Sequence, residues 1–501
     1  MQEIELKFLV PEYKVDALMR QANIKSSQTN QLAAYYFDTA KQDLAKSGIA
    51  LRIRKEGEDW VQTIKATGDG MAARLEHNHT LDNQQAQLAA DEQTLSPDLQ
   101  IYNDSDLADI LAHFDLETLA DELIQQYVTD VERITRLVKK EGNVIEVAYD
   151  EGLVHHGEDD SIQQTIHEIE FELLQGSPEY LFEVAKTWCK RYKLCVSTVT
   201  KAERGSLLLA NKEFTDAVKS DLDQLDISKK MSQPAFMRAV VHNCMLQILP
   251  NASAIAAGSP DGNHVHQLRV GIRRLRTALK FFDGFSEQVN SDWIPVLKQT
   301  FSLLGEYRDR EILQIKTQPM LEEQGAPHVD WTPERDALKV QPIDAVRAND
   351  FQLTLLELIE FTMSDPSSEA NADKLAKPKL CKILNKLFAK IAKASEHFAE
   401  LDLEEQHDVR KRLKSLRYIS EFVAPMFKKK KTKKFLKYLE PAQDILGEYN
   451  DSLVGHEFYQ QKTEQDANAW FAVGYFGAEQ EHAAKECGNS LKTVKNAPTF
   501  W

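Results

Sequence analysis

Before residue 205, seven segments alternate apolar and polar residues: EIELKFLV, GIALRIRKEG, DWVQTIKA, ARLEHNHTL, QQYVTDVERITRLV, NVIEVAYDEGLV and TIHEIEFELLQG. Period-two alternation with β-branched and aromatic residues reads as antiparallel strands. The polar positions are charged in order. Glu3, Glu5 and Lys7 share one face, opposite Ile4, Leu6 and Phe8. Arg52 and Arg54 share another, opposite Leu51 and Ile53. Thr63 and Lys65, Arg74 and Glu76, Thr129 and Arg133, and Glu146 and Asp150 follow, then Glu168, Glu170 and Glu172 opposite Ile169, Phe171 and Leu173. A solvated sheet face would explain any one of these strands. It explains the set poorly. Glu-x-Glu-x-Glu holds like charges roughly 7 Å apart along one face, which is unfavourable without a cation. Arg-x-Arg does the same for an anion. If the sheet closes into a barrel, both sets meet in its lumen.

A lumen with carboxylates beside Arg and Lys has a definite chemical use. Mg²⁺ and Mn²⁺ take carboxylate oxygens, and Arg and Lys hold phosphate oxygens. A bound metal lowers the pKa of a water for attack on phosphorus. The expected ligand is a polyanionic phosphate chain, and the expected reaction is phosphoryl transfer to water.

The order of segments resembles the CYTH superfamily, the triphosphate tunnel metalloenzymes. The match runs from the ExExK signature at Glu3, Glu5 and Lys7 through YYFDT at 35–39, LRIR at 51–54, TIK at 63–65, RLE at 74–76, the Thr129/Arg133 strand, EVAYD at 146–150, EIEFE at 168–172 and KAERG at 201–205. The resemblance implies an eight-stranded antiparallel tunnel that hydrolyses triphosphates with Mg²⁺ or Mn²⁺. It implies metal ligands at Glu3, Glu5, Glu168 and Glu170, with Asp150 and Glu172 beside them. Triphosphate would be held by Lys7, Arg52, Arg54, Lys65, Arg74, Arg133, Lys201 and Arg204, and Glu168, Glu170 and Lys7 form the catalytic set. Glu76 and Glu146 read as groups that orient an Arg. His77, His79, His155, His156 and His167 read as surface histidines, and Tyr35 and Tyr36 as packing or rim residues.

Beyond residue 225 the alternation stops, and apolar residues recur at three- and four-residue spacing, which predicts an all-α region. His266-Gln-Leu-Arg269-Val-Gly-Ile-Arg273-Arg274-Leu-Arg276 recurs 141 residues later as His407-Asp-Val-Arg410-Lys-Arg-Leu-Lys414-Ser-Leu-Arg417. In both copies His and three basic residues lie along one helical face. LGEYRD at 304–309 and LGEYND at 446–451 repeat the pattern, so the region is an internal duplication. Solvated faces are the plain reading of one such helix, but two matched copies favour an anion-binding surface. These segments resemble the CHAD domain, and the resemblance implies inorganic polyphosphate binding by His266, Arg269, Arg273, Arg276, His407, Arg410, Lys414 and Arg417. Arg274 and Arg412 lie off the stripe and are expected to face solvent. Residues 428–434 (KKKKTKK) are expected to form a basic loop, and 320–350 and 364–378 polar links.

The expected class is α+β multidomain: a tunnel domain at 1–205, a linker at 206–224 and a duplicated helical bundle at 225–490. Residues 84–124 are acidic and expected to be helical with loops. The formal net charge is −17, and −15 of it falls in residues 1–212. That balance opposes non-specific nucleic-acid binding, but not phosphate chains held in defined sites. Five cysteines lack C-x-x-C pairing, and no apolar run approaches about 18 residues. These features predict a reduced, cytoplasmic protein with no membrane partner. Three activities remain open: inorganic triphosphatase with polyphosphate binding, a polyphosphate-targeting protein with an inactive tunnel, and adenylate cyclase or thiamine or nucleoside triphosphatase.

Overall fold

A computed structural model describes residues 2–22, 25–57, 59–67, 73–81, 96–102 and 108–501, without the side chains of Gln2, Glu3, Ala22, Thr67, Ala73, Arg74 and Asp109. The chain divides into two compact units. One comprises Met1–Val218, Leu249–Pro260 and Val346–Met363, and the other Lys219–Ile248, Asp261–Ala345 and Ser364–Trp501.

The first unit is built on strands β1 (Gln2–Leu9), β2 (Gln28–Thr39), β3 (Ile49–Glu56), β4 (Asp59–Thr67), β5 (Ala73–Thr80), β6 (Leu123–Lys140), β7 (Asn143–His156), β8 (Gln163–Gln175) and the two-residue β9 (Cys195–Val196). They pair in the order β5-β4-β3-β2-β6-β7-β8-β1-β9, and a β5–β1 pairing closes eight of them into an antiparallel barrel. Seven of the eight are the alternating segments. The eighth, β2, shows no alternation because Tyr35, Tyr36 and Phe37 are all buried.

The barrel is apolar outside and charged inside, so its outer face must be covered. Helix α1 (Pro178–Tyr192), which opens with Pro178 directly after its N-cap Ser177, packs against β8. Phe8 and Phe171 meet edge to face at 5.5 Å, and Phe171 meets Trp188 of α1 at 5.5 Å. Burying each such ring contributes about 1.5–3 kcal/mol. Leu51, Ile53 and Ile64 are covered instead by Leu99, Tyr102, Leu111 and Leu119. These last lie in the acidic stretch at 84–124, whose residues 84–95 and 103–107 are outside the described set; its described part holds short helical turns. Helix α2 (Lys201–Leu209) lies along β6 and β7, with Gly205 against Tyr127. A Cβ at Gly205 would stand 2.1 Å from the Tyr127 ring. The β6–β7 hairpin turns at Glu141 (φ 52°) and Gly142 (φ 83°), the positive-φ pair that a two-residue turn requires.

Residues 210–231 carry no helix or strand. The helices after them are α3 (Gln233–Ala257), α4 (Gly262–Phe281), α5 (Trp293–Ile312), α6 (Asn349–Met363), α7 (Ala376–Ala394), α8 (Leu403–Val423), α9 (Lys429–Lys462) and α10 (Trp470–Lys495). Helix α6 belongs to the first unit: Lys186 of α1 pairs with Glu360 at 2.7 Å, and Gln352 accepts the Val196 amide at 2.8 Å. In the second unit α4 with α5 and α8 with α9 carry the two sequence repeats, around a core that includes Phe236, Phe282 and Phe422.

Three expectations change here. Lys429–Lys434 are not a loop but the first turns of α9, because Thr432, Phe435 and Leu439 supply a buried stripe and the lysines take the exposed faces. The polar links at 320–350 contain short helices at Gln318–Glu323, Thr332–Asp336 and Pro342–Arg347. Arg274 does not face solvent. It is fully buried, donates to Asn243 Oδ1 at 2.8 Å and Gln247 Oε1 at 3.2 Å, and stacks on Phe422.

Candidate functional site

The register of the strands sorts the lumen carboxylates into two groups. Glu5 on β1 stands opposite Glu172 on β8, and Glu172 stands opposite Glu146 on β7. That places three acids in one lateral row, at neighbour distances of about 5 Å. Lys7 stands opposite Glu170, and Asp150 stands between Arg133 and Glu168.

The second group is saturated with cations. Arg133 grips Asp150 with two bonds of 2.7 and 2.6 Å and reaches Glu170 at 2.5 Å. Lys201, delivered by α2, lies 2.6 Å from Asp150, 2.5 Å from Glu168 and 3.1 Å from Glu170. Lys7 lies 2.9 Å from Glu170 and 3.5 Å from Glu168. Arg204 Nη2 is 3.6 Å from Glu168 Oε2, a buried oxygen with no hydrogen bond. Burial opposes the charge of Glu170, but Lys201, Lys7 and Arg133 outweigh it and hold the carboxyl well below its ordinary value. Asp150 is lowered in the same way: Lys201 and Arg133 overcome its burial. Burial likewise opposes the Lys7 ammonium, and Glu168 and Glu170 raise it above its ordinary value.

The first group is the reverse. Burial and then Glu146 push the Glu172 carboxyl up, with Glu5 and Glu76 adding to the effect and Lys65 opposing it. Three acids in a row with little countercharge are a donor set for a hard divalent cation. Asp150, Glu168 and Glu170 also bring oxygens within 4.8 Å of one another. Lys201 lies against all three of these carboxylates. Glu3 lies two residues from Glu5 on the same strand face; its side chain and that of Arg74 lie outside the described residues.

Across the lumen, β3 and β4 supply Arg52, Arg54 and Lys65. Lys65 lies 2.6 Å from Glu76, Arg52 lies 4.0 Å from Glu76, and Arg54 pairs with Glu56. Burial and then Arg52 lower the pKa of Arg54, the signature of cations crowded on one wall. The cavity holds about 950 Å³ and is lined by both walls, including Glu5, Glu146, Glu172, Arg52, Arg54 and Lys65. Tyr36, read as packing or rim, does more than pack. It stacks on Tyr127 at 4.7 Å and hydrogen-bonds Arg52; burial opposes the phenolate, but Arg52 by charge and hydrogen bond, with Lys201 and Arg54, lowers the phenol pKa. In the sequence Tyr36 stands out only as part of YYFDT, with no alternation to give it a face. The five histidines named above do not line the cavity.

In the helical unit the two basic stripes draw together. Arg273 of α4 donates to Tyr418 of α8 at 3.2 Å. Arg269 donates to the Phe301 carbonyl at 2.6 Å and lies over that ring at 4.3 Å, as Arg276 does at 5.3 Å. Arg308 of α5 joins the cluster beside His266, an addition the repeat did not mark because it lies outside the shared stripe. Burial first, then Arg308, Arg273 and Arg269, bring His266 down to about 4. Burial, then Arg273 and Arg410, bring Lys414 down to about 6. Arg417 is drawn off to Glu421 at 2.7 Å and Gln443 at 2.8 Å, and the exposed His407 pairs with Asn450 at 3.1 Å. Arg412 pairs with Asp408 at 3.7 Å.

The chain is similar to several known proteins. A curated inorganic triphosphatase of Haemophilus influenzae is 30% identical over 223 residues, and the alignment spans 43% of this chain and 57% of that protein. The crystal structure of the CHAD domain from the plant Ricinus communis covers 57% of this chain and 99% of its own, at 23% identity and a TM-score of 0.48. A candidate adenylyl cyclase from Hippeastrum, described as having a dominant triphosphatase activity, covers 42% of this chain and 96% of its own, at 19% identity and a TM-score of 0.30. The family model for the CYTH domain matches residues 1–206, and that for the CHAD domain residues 239–460. The chain therefore consists of a CYTH domain followed by a CHAD domain.

Proposed function

We propose that the barrel hydrolyses inorganic triphosphate (tripolyphosphate) to pyrophosphate and phosphate, and that the helical unit binds inorganic polyphosphate. The functional division follows the sequence: residues 1–205 for hydrolysis, 206–224 as linker and 225–490 for binding. One observation carries the reading: an undercompensated acidic row, Glu5, Glu172 and Glu146, shares a cavity of about 950 Å³ with Arg52, Arg54 and Lys65.

The acidic row, with Glu3 beside it, fits Mg²⁺ or Mn²⁺. Bound there, such an ion supplies charge neutralisation and a water acidic enough to ionise near neutral pH. Arg52, Arg54 and Lys65 hold the phosphate oxygens on the opposite wall, with Arg74 next to them on β5. Lys7, Arg133 and Lys201 are held charged and in place by Asp150, Glu168 and Glu170, Arg204 lies beside Glu168, and the four stabilise the negative charge that develops on the transferred group. Glu168 and Glu170 thus serve the chemistry by fixing the cations rather than by taking the proton, and Lys7 serves it as one of those cations. In the helical unit, His266, Arg269, Arg273, Arg276 and Arg308 would line, with Arg410 and Lys414, a cleft for a phosphate chain, with His407 and Arg417 at its margins. Among the described residues no helix is long and apolar enough to cross a membrane.

A panel of tripolyphosphate, nucleoside triphosphates and thiamine triphosphate with Mg²⁺ or Mn²⁺ tests the reading. Phosphate release fastest from tripolyphosphate supports it. Cyclic nucleotide as the main product, or no metal-dependent turnover of any substrate, refutes it.

A further inference from the structure

The cleft of the helical unit is overloaded with positive charge. His266, Arg269 and Arg273 enter it from α4, Arg308 from α5, and Arg410 and Lys414 from α8. The carboxylates that reach them are Asp309 of α5, Asp451 of α9 and Glu311 of α5, which pairs with Arg308. Arginine cannot shed its proton near neutral pH. Lysine and histidine can, so the repulsion in the empty cleft is relieved through them.

Lys414 is the residue on which that relief falls. It sits on α8 one turn from Arg410, facing Arg273 and Arg269 across the cleft, with Asp451 as the acid that acts on it. Among the described residues it forms no ion pair within 4.0 Å, whereas its neighbours are engaged: Arg273 with Tyr418, Arg269 with the Phe301 carbonyl and Arg417 with Glu421. Burial comes first among the causes and Arg273 second, and together they leave the amine near 6. At the pH of most cells the amine of the empty cleft is therefore largely neutral. A phosphate chain reverses the local field: each negative oxygen favours the ammonium form and screens it from the arginines.

We propose that Lys414 is the proton-linked member of this cleft, so that a phosphate chain binds together with one proton taken up by the Lys414 amine. No covalent bond is made or broken; the neutral amine becomes an ammonium and gains a donor to the chain. Affinity then rises as the pH falls, about tenfold per pH unit between the value of the empty cleft and that of the filled one. His266 extends the dependence on the acid side. The inference rests on polyphosphate binding by this unit and deepens it.

The test is titration calorimetry of the full chain with long inorganic polyphosphate at pH 8, in two buffers of different ionisation heat. A long chain keeps the contribution of terminal phosphates, whose second ionisation lies near pH 6, small. The expected result is about one proton taken up per bound segment and a dissociation constant that tightens about tenfold from pH 8.5 to 7.5. Lys414→Arg, which stays charged, should bind without proton uptake and with a flat pH dependence. Lys414→Met should match the wild type at pH 9 and bind more weakly than it at pH 6.5. Binding by the wild type with a heat independent of buffer overturns the inference and leaves polyphosphate binding intact, as does uptake that persists in both variants. Failure of the wild type to bind at any pH overturns both.

Discussion

The two carboxylate groups of the barrel should respond in opposite directions to loss of charge. Glu168→Gln removes one of three acids that balance Lys7, Arg133, Lys201 and Arg204, at a site where Glu168 is fully buried and lies 2.5 Å from Lys201. Breaking one partner of a buried pair costs about 3–5 kcal/mol, and the lower end applies because glutamine still accepts from Lys201. For a unit of this size that lowers the melting temperature by roughly 6–12 °C. Glu172→Gln removes an acid that stands opposite Glu5 and Glu146. Like charges directly opposite cost about 0.2–1 kcal/mol each, so the metal-free protein should gain about 1 kcal/mol, less what Lys65 returns. The pH dependence separates the two further. The Glu172 carboxyl is raised, so its contribution to stability is present below the ordinary carboxylate value and is lost as the pH rises through the folded value. Asp150 and Glu170 are lowered, so theirs is present above the ordinary value and is lost as the pH falls through the folded values. Denaturant unfolding with chelator present measures both variants, and Mn²⁺ titration measures the seat: Glu172→Gln should lose the ion and Glu168→Gln should keep it. Destabilisation of Glu172→Gln by more than about 1 kcal/mol, or loss of Mn²⁺ by Glu168→Gln alone, would place the cation among Asp150, Glu168 and Glu170 and refute the reasoning.

Gly205→Ala should cost about 1–3 kcal/mol in denaturant unfolding, because its Cβ meets the Tyr127 ring at 2.1 Å; an unchanged midpoint would show that the ring moves freely. Arg274→Met should cost about 1–3 kcal/mol by the same assay, since Asn243 Oδ1 and Gln247 Oε1 lose their donor. Arg410→Ala should weaken polyphosphate binding and reduce its salt slope by about 1, while tripolyphosphate turnover stays within twofold; equal losses in both assays would contradict a division of labour.

The barrel was legible because its alternation is inverted. Seven strands announce themselves by parity, and the charged parity points inward, where the apolar side of a small barrel usually lies. What parity cannot show is the balance of charge. Glu168, Glu170 and Glu172 are equivalent in sequence, yet Lys201 arrives from a helix 29 residues after the last of them and neutralises only the first two. The lumen role of Tyr36 stayed hidden for a related reason: over residues 34–39 both faces of β2 are buried, one by the lumen and one by the outer core, so the sequence there carries no period.

The helical repeat illustrates the complementary limit. It fixes which faces are basic, but equivalent positions in two copies need not meet equivalent partners. Gly305 and Gly447 occupy the same place in the LGEY segments. A Cβ at Gly305 would stand 2.4 Å from Arg269 Nη1, whereas Gly447 has nothing within 4 Å. In the first copy the glycine lets the arginine lie flat on α5 and bond to a backbone carbonyl, which locks it. In the second copy Arg410 has no such bed, and among the described residues its buried Nε has no hydrogen-bond partner. The repeat thus fixes Arg269 on a backbone carbonyl and leaves its counterpart Arg410 without such a bond. Arg410, with Lys414 a turn further along α8, has the more unspent donor capacity, and it is where an arriving phosphate oxygen gains most.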